Sequence, residues 1–195
     1  MSSHPFDFTP LQSYLSQLAS FDETDWHCLE EIASIKQFDK KEYIQKAGRP
    51  CKTVGFILEG CVRWVKDLNG VERTFDFAVT NDFVTDYVSI ITGKPSEVNI
   101  VAIKNTTMIC MDAGRLLTLF DKSFAWQKAG RHLAERTACY AMERLLASYY
   151  ETPQMRYEQL MNADPELFLQ IPHHILANYL GMTKETLSRL RNTNR

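Results

Sequence analysis

The spacing of apolar residues changes character along this chain. Leu11, Leu15 and Leu18 recur at helical intervals, and Trp26, Leu29, Ile32 and Ala33 make a second helical stretch. Asp22, followed by Asp25, is a start signal for that second helix. Residues 1–8 carry no such pattern and are expected to be a loose arm. From about Ile35 to Asp112 the chain turns to short runs separated by turn residues. Strands are predicted over 42–45, 53–58, 61–66, 71–79, 83–84, 98–103 and 107–111. Asn69-Gly70 is a strong hairpin dipeptide, because a type I′ turn needs positive φ at both central residues. Many short strands with Gly and Pro turns predict a barrel or rolled double sheet. Helical spacing returns near Leu116, and residues 124–150 contain few breakers.

That last stretch carries two stripes. Trp126, Ala129, Leu133, Thr137, Tyr140 and Arg144 form one; Ala134, Ala138, Ala141 and Leu145 form the other. A helix lying on a single domain needs only one buried stripe. Two stripes predict one face on the roll and one on a partner helix, as in a coiled-coil dimer; the alternative is a helix sandwiched within one chain. Pro153 breaks the helix, and a short one follows over 154–163.

Residues 171–192 read as two short helices about a tight turn. Pro172 suits a first helical turn, and Gly181 ends that helix by taking positive φ. Thr183 is placed to cap the next helix with its hydroxyl. On a helical wheel Thr183, Leu187 and Leu190 fall on one side, able to pack on Leu176 and Leu180, while small Ala177 permits close approach. Lys184, Glu185, Ser188, Arg189 and Asn192 fall on the other side. Arg and Glu there suit guanine and the cytosine amino group in a major groove. The layout is that of a helix-turn-helix, which reads double-stranded DNA with its second helix; an ordinary helical hairpin with a solvated face is the plainer alternative.

Composition narrows the class. The chain has 195 residues, 45% hydrophobic and 24% charged, with a net charge of −2. That is ordinary for a soluble globular protein and gives no overall attraction to nucleic acid. Positive charge is local instead: Lys184, Arg189, Arg191 and Arg195 against Glu185 over the last twelve residues. Five scattered cysteines, with no CxxC pair, argue for a reducing compartment and against disulfides, zinc or an iron–sulfur cluster. There is no signal-peptide pattern and no long apolar run. A cytoplasmic protein without a resident metal or other cofactor, and without membrane contact, is expected. An enzyme is disfavoured: no P-loop, G-x-S-x-G or G-x-G-x-x-G occurs. No histidine lies between residues 28 and 131, as a metal-dependent cupin would require.

The roll, long helix and helix-turn-helix together resemble the Crp/Fnr family of bacterial transcription regulators. The resemblance is carried by the Gly60 and Gly70 turns, Met142-Glu143-Arg144-Leu145-Leu146, Arg156-Tyr157-Glu158-Gln159-Leu160 and Leu180-Gly181-Met182-Thr183-Lys184-Glu185-Thr186-Leu187-Ser188-Arg189. It implies an α+β fold: an N-terminal double-stranded β-helix, a cyclic nucleotide-binding-like roll, over 1–115; a long dimerisation helix over 116–149; and a winged-helix or helix-turn-helix domain over 150–195. It further implies a homodimer on a pseudo-palindromic operator, with RNA polymerase as a partner. By the family's E-x-x-S-R wording, Glu185, Ser188 and Arg189 contact bases, while Thr183 and Lys184 contact phosphate.

The sensor pocket departs from the family's wording. Cyclic nucleotide-binding members have Gly-Glu-Leu, then Arg-Ser or Arg-Thr about ten residues on, where Arg neutralises the phosphate and Glu holds the ribose. The corresponding positions here are Thr85 and Asp86, then Val98 and Asn99, with no arginine near Val98. Lys94 or Arg73 could stand in as the cation. Burying a phosphate without its cation is costly, so cAMP is not the expected effector. A cyclic nucleotide or other small effector in a non-standard pocket is the alternative, with a cupin-like enzyme or a scaffold that does not bind DNA more remote.

Overall fold

The computed structural model describes residues 7–163 and 170–193. Two short helices, α1 (Thr9–Ser16) and α2 (Glu23–Ile32), precede eight strands. Asp22 and Asp25 form a reciprocal capping box at the start of α2. The strands are β1 (Ala33–Phe38), β2 (Tyr43–Gln45), β3 (Thr53–Glu59), β4 (Cys61–Leu68), β5 (Val71–Val79), β6 (Phe83–Val84), β7 (Asn99–Ala102) and β8 (Thr106–Asp112). A six-residue helix, α3 (Tyr87–Thr92), lies between β6 and β7.

The strands make two antiparallel four-stranded sheets, ordered β1-β8-β3-β6 and β2-β7-β4-β5. Between them lies an apolar cluster that includes Ile57, Val62, Ile100 and Met108. Gly60 joins β3 to β4 at φ +130, and a Cβ there would sit 2.7 Å from the Thr106 backbone. Asn69 and Gly70, at φ 56 and 83, make the hairpin turn that the dipeptide predicts.

Among the described residues five helices follow the roll's last strand, in two groups. α4 (Ala113–Lys122) and α5 (Phe124–Tyr150) come first. α4, the start of α5 and the N-terminal helices cover the outer face of the first sheet, around Leu11, Leu29, Phe56, Ile109 and Trp126. α6 (Pro153–Ala163) then leads to the hairpin of α7 (His173–Leu180) and α8 (Lys184–Thr193). A third cluster joins this hairpin to the roll: Tyr157, Leu176, Leu180 and Leu187 pack with Cys61 and Ile103.

Two segments differ from the sequence reading. Ala33 opens β1 rather than closing α2, and residues 33–38 pair along β8. The α3 stretch was not foreseen as a helix; Asp86 caps it and Gly93 ends it at φ 68. The described C-terminal residues form helices only, so no wing strand is seen among them.

Candidate functional site

The candidate interface is built from the turn outward. Gly181 takes φ +72, where an L side chain is strained. The Gly181 N–H donates to the Asn178 carbonyl and the Met182 N–H to that of Ala177, closing α7. Thr183 Oγ1 then accepts the Thr186 N–H at 3.2 Å, which makes it the cap of α8. Thr183 is exposed rather than part of the apolar side, a correction to the helical wheel. The reason is its place before the first full turn, where its hydroxyl serves the helix end.

Leu187 is fully buried, and Leu190 packs partly buried against the same cluster. Lys184, Glu185, Ser188, Arg189 and Asn192 are all exposed. They line one shallow concavity together with His173 from the start of α7. The Glu185 carboxyl is held below its ordinary range by its own backbone N–H and by the Thr183 hydroxyl. His173 contacts Arg191, tying the first turn of α7 to the last of α8. Burial, and then the Arg191 charge, lower the His173 pKa, which favours a neutral ring. His173 was not singled out from the sequence; only its approach to α8 in space brings it to this rim.

The sensor positions are spent differently from the family wording. The Thr85 hydroxyl donates to the Thr53 carbonyl, and the Thr85 carbonyl accepts Trp64 Nε1–H. The Asp86 carboxylate accepts the Ser89 N–H as a helix cap. Both backbone groups of Val98 bond the Ser96 hydroxyl, and Asn99 Oδ1 accepts the Ala47 N–H. Of these four residues only Thr85 borders a cavity of about 800 Å³ between the roll and α5. Lys94 and Arg73 do not border it. Among the described residues its charged lining is Asp76, Asp82, Glu135 and Glu143 with the cation Arg136, whose guanidinium donates to the Tyr14 hydroxyl at 2.6 Å. A negative lining with apolar walls opposes an anionic phosphate.

The two stripes of α5 have different surroundings. The first faces the roll: Tyr140 donates to Asp76 at 2.8 Å, and Arg144 donates to the Phe75 carbonyl at 2.7 Å. Burial, and then the Asp76 carboxylate, push the Tyr140 phenol above its ordinary value. On the other stripe, Ala138, Ala141 and Leu145 are exposed and Ala134 is half-buried. Met142, Leu146 and Tyr149 extend that exposed apolar face.

Among the described residues no group of three or more His, Cys, Asp or Glu side chains is placed to hold a metal ion. No helix among them is long and apolar enough to cross a membrane.

The cyclic nucleotide-binding domain family matches residues 35–123. No curated protein matches the chain by sequence. Among solved structures, FixK2 from Bradyrhizobium japonicum superposes with a TM-score of 0.67 at 21% identity, over 83% of this chain and 84% of that one. A CooA mutant from Carboxydothermus hydrogenoformans gives 0.70 at 16% identity, over 97% and 84%. The c-di-GMP responsive global regulator CLP from Xanthomonas campestris gives 0.63 at 15% identity, over 88% and 91%. Identities this low speak for the fold. Residues 35–123 are thus similar to the cyclic nucleotide-binding domain family, and the chain that carries them shares the fold of these solved regulators.

Proposed function

We propose that this protein is a sequence-specific, DNA-binding transcription regulator and not an enzyme, working in the cytoplasm as a homodimer. One observation carries the reading: α8 buries Leu187 while presenting Lys184, Glu185, Ser188, Arg189 and Asn192 on one open surface. A helix so arranged has its apolar side committed and its polar side available to a major groove. Arg189 pairs with a guanine, Glu185 with a cytosine or adenine amino group, and Ser188 lies between them. Thr183 and Lys184 take phosphates, which position without specifying.

Dimerisation follows from α5. Ala134, Ala138, Ala141 and Leu145 are spaced by four, three and four residues, the seam of a two-stranded coiled coil. Two copies joined there present two reading helices, matched to half-sites about 34 Å apart. The division is then a sensor over 1–115, a joining helix over 116–149 and a DNA-binding head over 150–195. RNA polymerase is the expected further partner of a regulator so placed on DNA. The sensor does not take cAMP, because Asp86, Val98 and Asn99 are committed elsewhere and the cavity lining is mainly acidic.

The test is selection of bound duplexes from a random pool, followed by Arg189→Ala on the selected site. The expected result is a palindromic site, a loss of about 1–3 kcal/mol for the variant and relaxed choice at one base per half-site. Equal weakening on every sequence would refute the base-reading role.

A further inference from the structure

Among the described residues strand β5 is the outer strand of its sheet and pairs with β4 alone. Such an edge leaves every second N–H and C=O without a ladder partner. It also contains a bulge: Asp76 faces Trp64 and Thr74 faces Val65, so Phe75 has no opposite residue. Three backbone groups of β5 are taken by side chains from far along the chain. The Asn178 carboxamide accepts the Thr74 N–H at 2.7 Å and donates to the Glu72 carbonyl at 2.9 Å. Groups two residues apart on one strand edge point the same way, so this one amide stands in for a neighbouring strand. Arg144 donates to the Phe75 carbonyl at 2.7 Å and reaches on to the Tyr179 hydroxyl at 2.5 Å. The Tyr179 ring packs on Phe77 with centroids 4.8 Å apart.

We propose that Asn178 and Tyr179 are positioning residues for DNA reading: they bracket α7 to β5 and thereby fix the direction in which α8 faces. This rests on the regulator reading above. The bracket is permissive and does not block the interface, because the whole reading surface stays exposed while the bracket is closed. It matters most when two heads must meet two half-sites at once. A head held in place loses no further freedom on binding, whereas a loose head must be ordered.

The experiment compares the full-length wild type with Asn178→Ala and Tyr179→Phe, which keeps the ring and removes only the hydroxyl. Amide hydrogen exchange reports Thr74 directly, and fluorescence anisotropy reports affinity for a duplex with two half-sites and for one with a single half-site. Thr74 is buried, 4% exposed, so losing its acceptor leaves a buried donor unmade. In Asn178→Ala, Thr74 exchange should rise about tenfold or more. Affinity for the two-half-site duplex should fall about tenfold in each variant, while single-half-site affinity and its salt dependence stay as in the wild type. Unchanged Thr74 exchange, equal loss on both duplexes or tighter binding would each overturn the bracket. If the wild type bound neither duplex, the regulator reading would fall, and Thr74 exchange would still decide whether Asn178 holds the strand edge.

Discussion

Removing the side chain of Leu187 should unfold one part of this protein and spare the rest. Leu187 is 0% exposed and belongs to the cluster of Tyr157, Leu176, Ala177 and Leu180. Neither of the other two clusters contains a described residue from α6, α7 or α8. Leu187→Ala removes buried methyl groups and leaves a cavity, at a cost of about 2–5 kcal/mol. At about 1.4 kcal/mol per factor of ten, the open population of the head rises between about 30-fold and several thousandfold. Amide hydrogen exchange followed by mass spectrometry reads this directly. Peptides from α7 and α8 should exchange faster by that factor, while those from β3 and β8, which share no cluster with Leu187, should not change. DNA binding should weaken even though Leu187 touches no base. An acceleration of less than about fivefold, or an equal acceleration across the roll, would refute the view that the head opens separately from the two clusters inside and outside the roll's sheets.

Two further outcomes are expected. Gly60→Ala forces a residue at φ +130 against the Thr106 backbone, costing about 2–6 kcal/mol from backbone strain and overpacking together; a thermal midpoint within a degree of wild type would contradict this. For Asp76, burial raises the carboxyl pKa against the lowering pull of Tyr140 and Arg144. A raised folded-state pKa gives a stabilising contribution below the unfolded value that is lost as pH rises through the folded one. Asp76→Asn lacks that loss, so its stability relative to wild type should improve between pH 4 and pH 7 in urea titrations. A difference that stayed flat or narrowed would show that Asp76 is not the group responsible.

Much of the architecture was legible because the pattern and the physics agree locally. Asn69-Gly70 and Gly181 take the positive φ their turns demand, and the stripes of α5 lie on separate faces. β1 was missed because Ile32-Ala33 runs from helix to strand with no Gly or Pro between. Only pairing with β8, seventy residues on in the chain, makes residues 33–38 extended. α3 was missed because Val88, Ile90, Ile91 and Thr92 are β-branched; the Asp86 cap and the Gly93 end override that preference. Among site residues, the exposed face of α8 followed from helical periodicity. The approach of His173 to that face, the place of Arg136 in the cavity and the grip of Asn178 on β5 did not. Each depends on segments distant in sequence meeting through single side chains, and no period records that.

The attachment of the head to the roll also governs how the molecule behaves when divided. A chain cut at residue 150 keeps the cluster between its sheets, but Cys61 and Ile103 lose their cover and the amide of Thr74 loses its acceptor. What remains is an open strand beside a greasy patch, the combination through which sheets stack onto one another. The half cut free in this way is expected to self-associate, because it lacks the helices that cover this edge.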